Sequence, residues 1–181
     1  MATSSRVLAL AILLAAAPAG AKVFLTQEEA LKLAFPGAAI ERKTAFLTEA
    51  EQQEAATLSG GPRPSALAVA YVATKDGRLV GTAYFDTHVV RTQTETLMVV
   101  VDPSGAMARV EVLSFSEPEE YLPRGHWYAQ FPGRSLDDEL SLKRGIRPIS
   151  GASLTARATT EAARRVLATH RVLDRRARKA L

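Results

Sequence analysis

Ser150-Gly151-Ala152-Ser153 sets two hydroxyls and two small residues immediately before a strongly helical run that begins at Leu154. The first N–H groups of a helix have no partner within it and sit at the positive end of its dipole. A phosphate brought close can be held there. Gly151 and Ala152 leave room for a bulky neighbour, and Thr155 adds a third hydroxyl to the same helix start. Lys143, Arg144 and Arg147, just upstream, carry positive charge that would neutralise an anion. The competing explanation is capping: Ser is a good N-cap, and such a turn can serve the helix alone. The residues by themselves leave both readings open.

Other chemistries have less to build on. The chain has no cysteine, which excludes disulfides, thiolate metal sites, iron–sulfur clusters and cysteine nucleophiles. His88, His126 and His170 lie far apart and in no zinc-type spacing. Glu119-Glu120 and Asp137-Asp138 are neighbours in sequence, so their side chains diverge and read as surface or capping acids. A hydrolase finds little support without a Gly-x-Ser-x-Gly elbow, and no Gly-rich nucleotide loop is present.

The elements that would position the Ser-Gly-Ala-Ser turn can be read from periodicity. Thr26-Gln27-Glu28-Glu29 and Thr48-Glu49-Ala50-Glu51 are capping boxes that open two short helices, the second stopping at Gly60-Gly61. A β-rich stretch follows: 66–74, a turn at Asp76-Gly77, 79–85, 95–101, a turn at Asp102-Pro103-Ser104-Gly105, and 106–115. Met98-Val99-Val100-Val101 is apolar without a break, which suits a strand covered on both faces. After Phe115 the chain turns irregular and aromatic. A short helix is expected over 136–142 and a short strand over 144–149. The longest helix is expected over 153–173, with Leu154, Ala158, Ala162, Val166 and Leu173 on its buried stripe. The fold class predicted is α+β: a twisted antiparallel sheet of about four to five strands packed against a C-terminal helix, preceded by two short helices.

Residues 1–21 read as a secretory signal, with Arg6, an apolar run over 7–17, Pro18, and Ala19-Gly20-Ala21 as the cleavage pattern. The apolar run is shorter than a membrane span needs. The expectation is an exported, periplasmic protein, with membrane association left open. The formal charge of +4 hides an asymmetry. Residues 157–181 hold eight Arg and Lys against Glu161 and Asp174, whereas 22–156 are net acidic. No aromatic residue interleaves with these arginines, so nucleic acid is not an expected partner.

Ser150-Gly151-Ala152-Ser153-Leu154-Thr155 resembles the signature of the FMN-binding domain family, which includes the flavin subunits of sodium-translocating NADH:quinone reductase and of the Rnf complex. Glu117-Pro118, Trp127, Gln130-Phe131, Gly133 and Leu136-Asp137-Asp138 are similar to the stretch that precedes the signature in that family. The resemblance covers about residues 66–172. It implies FMN esterified through its phosphate to Ser153 by a flavin transferase, with non-covalent FMN as the other possibility. Ser150, Gly151, Ala152, Leu154 and Thr155 would line the attachment site, and Glu117 and Trp127 would lie near the flavin. Tyr121, Tyr128 and Phe131 are further candidates to stack on the ring, and His88 to bond it, although core packing is the better account of Phe131 and a satisfied strand histidine the better account of His88. Two positions depart from the pattern: Arg147 stands where the family commonly has an acid, and Ser153 where it usually has Thr.

The organisation expected is a signal over 1–21, a helical lead-in over 22–64, an FMN-binding domain over 65–174 and a basic tail over 175–181. The expected function is a redox carrier exchanging electrons with membrane or periplasmic partners. The alternative is a non-catalytic periplasmic binding module of the same fold without flavin.

Overall fold

The computed structural model describes residues 22–180; the signal expected over 1–21 lies outside them. The fold is α+β. Two capping boxes start the first helices as the sequence predicts. Thr26 caps α1 (Gln27–Ala34) and Thr48 caps α2 (Glu49–Ser59), with Glu29 and Glu51 returning the bond to the cap N–H. Gly60, at φ +70°, ends α2 in the left-handed region that favours glycine.

The sheet has six strands where four or five are expected. They are β1 (Lys22–Val23), β2 (Ala39–Phe46), β3 (Leu67–Lys75), β4 (Arg78–Val89), β5 (Thr94–Val101) and β6 (Met107–Phe115), in the order β1-β6-β5-β4-β3-β2, all antiparallel. The helical lead-in expected over 22–64 therefore needs correction. Residues 39–46 form an edge strand along β3, and 22–23 pair with the end of β6. β2 is mostly exposed and carries Glu41, Arg42 and Lys43, so it lacks the apolar alternation that announces a strand. Its identity comes from pairing with β3.

The 27-residue helix α4 (Ser153–Lys179) crosses one face of the sheet together with α2, while α1 covers the other. β5 is buried between them. Leu97, Val99 and Val101 face α4, and Met98 and Val100 face α1, as the unbroken apolar run predicts. Gly81 lets Phe35 of α1 lie against the sheet: a Cβ there would meet the Phe35 ring at 2.9 Å and the Val101 carbonyl at 3.0 Å. At Asp76-Gly77 both residues have positive φ, the hairpin geometry that this dipeptide favours.

Three local expectations are corrected. Residues 136–142 form turns in which Asp137 Oδ1 accepts from the N–H groups of Glu139 and Leu140, and no helix propagates. Residues 144–149 form no strand; a single bridge joins Leu142 to Ile146. The basic tail does not begin at 175, because α4 continues to Lys179. Arg175 pairs with Glu54 and Arg176 with Glu51, which hold the helix end against α2. The buried stripe of α4 is also rotated from the one expected. Ala162 and Val166 are buried, but Leu154 is half exposed, and Thr155, Thr159, Leu167 and Val172 take the inner positions. No helix among the described residues is long and apolar enough to cross a membrane.

Candidate functional site

The turn before α4 gives its helix no side-chain cap. Gly151 has φ +83°, in the left-handed region that favours glycine, and nothing lies within 4 Å of where its Cβ would be. Ala152, not a serine, occupies the N-cap, and no side chain caps the helix. The first-turn N–H groups are thus left without an intrahelical partner. Ser150 and Ser153 are exposed; the Ser153 hydroxyl donates to the Ile149 carbonyl at 3.2 Å. Thr155 is buried and donates to the Tyr121 carbonyl at 2.6 Å. Of the motif's hydroxyls, Ser153 is the one both exposed and on the first turn.

A cavity of about 210 Å³ opens beside this turn, walled by Gly151, Ala152, Ser153, Leu154 and Thr155 on one side and by Val90, Arg91, Glu117 and Tyr121 on the other. Glu117 is buried, and one carboxylate oxygen accepts from the N–H groups of Thr92 (2.6 Å) and Gln93 (2.8 Å). The bonds from Thr92 and Gln93 hold Glu117 below the usual carboxylate range, so it stays ionised and pins the 91–93 loop. Its role toward the cavity is to fix that wall. The nearby cation is Arg91, in the loop after β4, rather than the upstream cluster. Lys143, Arg144 and Arg147 are exposed and line no part of the cavity.

Seven of the eight residues singled out from the sequence gather at this turn: Glu117 and Gly151 to Thr155 line the cavity, and Ser150 immediately precedes it. Trp127 does not join them. It is buried, and its indole N–H donates to the Arg147 carbonyl at 2.7 Å. Its ring meets Tyr128 and Phe131 edge-on, each at 5.2 Å. These three aromatics are core, and only Tyr121 of the candidate stacking residues reaches the cavity.

A second polar constellation, of which the sequence marks only His88, lies between β4, β5 and α4. His88 bridges two carboxylates, with Nδ1 2.9 Å from Asp86 and Nε2 3.1 Å from Glu95. Arg165 grips Asp86 with two bonds at 2.7 and 3.0 Å, and Thr159 donates to Glu95 at 3.1 Å. Burial alone would lower the His88 pKa, but the bonds to Asp86 and Glu95 outweigh it and raise it to about 9. Burial likewise pushes Asp86 up, yet His88 and Arg165 together hold it below the usual carboxylate range. Asp86 and His88 are two apart on a strand and so share a face. That signal was open to reading only if β4 ran past Phe85, where the sequence pattern ends it.

The chain matches no protein-family model, no curated protein and no solved structure.

Proposed function

We propose that this chain is an exported FMN-binding electron-transfer protein whose flavin is tied through its phosphate to Ser153. One observation carries the reading: an exposed Ser153 hydroxyl on the uncapped first turn of a 27-residue helix, at the mouth of a cavity that also holds Arg91. The donor set fits a phosphate monoester. Unpaired N–H groups, the positive helix end and one guanidinium all favour a bound anion, and Gly151 removes the side chain that would crowd it. Val90, Tyr121 and the half-exposed Leu154 offer apolar surface to whatever the phosphate carries.

FMN, when bound, accepts and passes on one or two electrons. The chain's own part is to tether, orient and shield. Ser153 supplies the hydroxyl, Thr155 locks the helix start to the Tyr121 backbone, and Glu117 holds the loop that carries Arg91 against it. Attachment needs a flavin transferase, and the electrons would come from and go to membrane or periplasmic partners.

The experiment is co-expression with a flavin transferase, followed by in-gel fluorescence and intact mass of the denatured chain. The native chain should fluoresce and gain the mass of one esterified FMN. Ser153→Ala should lose both signals, and Thr155→Val should keep them. A native chain that stays colourless, keeps its unmodified mass and ignores added FMN refutes the proposal. A Thr155→Val variant that alone loses the signal moves the attachment.

A further inference from the structure

β2 ends the sheet: it pairs with β3 on one side and, among the described residues, with no strand on the other. The ladder fixes which of its main-chain groups stay free. The Leu47 N–H donates to the Ala66 carbonyl at 2.7 Å, one step beyond the Phe46↔Leu67 pair. Phe46 and Leu67 spend their groups elsewhere: the Leu67 N–H donates to Ser65, and the Phe46 carbonyl accepts from Arg176. Bonded and non-bonded pairs alternate along an antiparallel ladder, so Ala45, Lys43, Glu41 and Ala39 bond to β3. Ile40, Arg42 and Thr44 then turn their N–H and C=O groups outward, to an edge with no strand beside it.

We propose that this edge pairs with the β2 edge of a second copy of the chain, antiparallel about a two-fold axis at Arg42. Charge commonly blunts an edge strand against foreign strands. β2 instead carries an acid and a base two residues apart, Glu41 and Lys43, and such a strand complements itself in one register. Outward groups bond only to outward groups, so the axis falls on a residue and not between two. The two longest overlaps, 39–45 and 40–46, put it at Arg42 or at Lys43. At Lys43 the axis sets that lysine against its own copy in a close, non-hydrogen-bonded pair. At Arg42 it sets Glu41 opposite Lys43 of the second copy, twice. Glu41 and Lys43 are exposed and 3.2 Å apart within the strand, so the dimer closes a ring of four charges with opposite neighbours throughout. Arg42 meets its own copy at the axis, but in the wider hydrogen-bonded pair and with its guanidinium drawn aside to Thr44, 3.2 Å away.

The other face of the strand adds apolar contact. Ile40 packs into the cluster under α1, and Phe46 lies on the same face of the strand. Phe46 is 73% exposed in the single chain. In this register it is the diagonal neighbour of Ile40 of the second copy, within reach of an aromatic ring, and the axis makes that contact twice. One strand pair with two aromatic contacts is at the small end of interfaces, so the dimer is weak and depends on concentration. β2 shares no residue with the Ser153 cavity, and the inference stands apart from the flavin reading.

Sedimentation of the chain over a range of concentrations, with amide exchange at both ends of the range, is the test. A dimer should form as the concentration rises. The N–H groups of Ile40, Arg42 and Thr44 should slow with it, while those of Glu41 and Lys43, already bonded to β3, change little. Glu41→Lys and Lys43→Glu should each weaken association about tenfold or more, because two pairs turn repulsive at once, and the two substitutions together should restore it. All are at exposed positions, and circular dichroism checks the fold; Lys43→Ala is the milder variant and should weaken association severalfold. The proposal is overturned if the chain sediments as a monomer at every concentration, or if a dimer forms without slowing these three amides. It is equally overturned if the double variant is no better than the single ones. Slow exchange of the three amides at every concentration would assign the edge to another segment of the same chain and overturn it too.

Discussion

Raising the pH past 9 strips the proton that His88 holds between Asp86 and Glu95, and the cost to the fold can be worked out. The His88 pKa is raised from 6.5 to about 9 in the folded chain. A group whose folded pKa exceeds its unfolded value contributes stability that is complete below 6.5 and is lost as the pH climbs through 9. At about 1.4 kcal/mol per pH unit the rise corresponds to roughly 3 kcal/mol, and sharing with the two carboxylates brings the expected loss to about 2–3 kcal/mol. Against the typical 5–15 kcal/mol of a domain, that is a large fraction. Urea unfolding should report it as a midpoint lowered by about 1–2 M between pH 6.5 and a pH above 9. His170 works in the opposite direction. Burial lowers its pKa, so its contribution is lost as the pH falls below 6.5 and does not confuse the alkaline limb. Glu95→Gln removes one of the two carboxylates while keeping an oxygen to accept from Thr159. It should bring the His88 titration, followed by its NMR ring signals, back toward 6.5 and flatten the alkaline fall. An alkaline loss that is the same in Glu95→Gln, or a His88 ring that titrates at or below 6.5 in the native chain, would refute the reasoning.

Other perturbations read other parts of the molecule. Gly81→Ala forces a Cβ against the Phe35 ring and the Val101 carbonyl, and should cost about 1–3 kcal/mol in urea unfolding; an unchanged midpoint would mean that α1 does not press on the sheet. Arg164 donates to the carbonyls of Ser59, Leu58, Asp137 and Leu140, tying the end of α2 to the 137–140 turns. Arg164→Ala should lose about 2–3 kcal/mol, and Arg164→Lys, which cannot fork to several carbonyls, should recover less than half of it. Glu117→Ala should speed amide exchange at Thr92 and Gln93 by about tenfold or more while leaving the β5–β6 core unchanged.

Several elements were legible because a local signal and the global fold agree. Each capping box satisfies a helix start from four residues, so Thr26 and Thr48 announced α1 and α2 without reference to anything distant. The Asp76-Gly77 hairpin and the doubly covered β5 were legible for the same reason. β2 was missed because an exposed edge strand carries no apolar alternation and exists by borrowing the backbone of β3. The end of α4 looks like a tail in the sequence because the partners of its arginines, Glu51 and Glu54, lie more than a hundred residues away.

The candidate site divides along the same line. Sequence alone singled out the Ser-Gly-Ala-Ser turn, since hydroxyls, small residues and a helix start are local properties. It could not choose between capping and anion binding, nor between Ser153 and Thr155. Only the tertiary structure supplies the exposure and hydrogen-bond partners of these residues, because both depend on what packs alongside. Ala152 takes the cap position, Thr155 is committed to Tyr121, and Ser153 is left facing solvent. The Asp86–His88–Glu95–Arg165 chain and the open edge of β2 belong wholly to the folded state. Their members come from strands and a helix that meet only when the sheet has formed, and no spacing along the chain records which strand edges will remain unpaired.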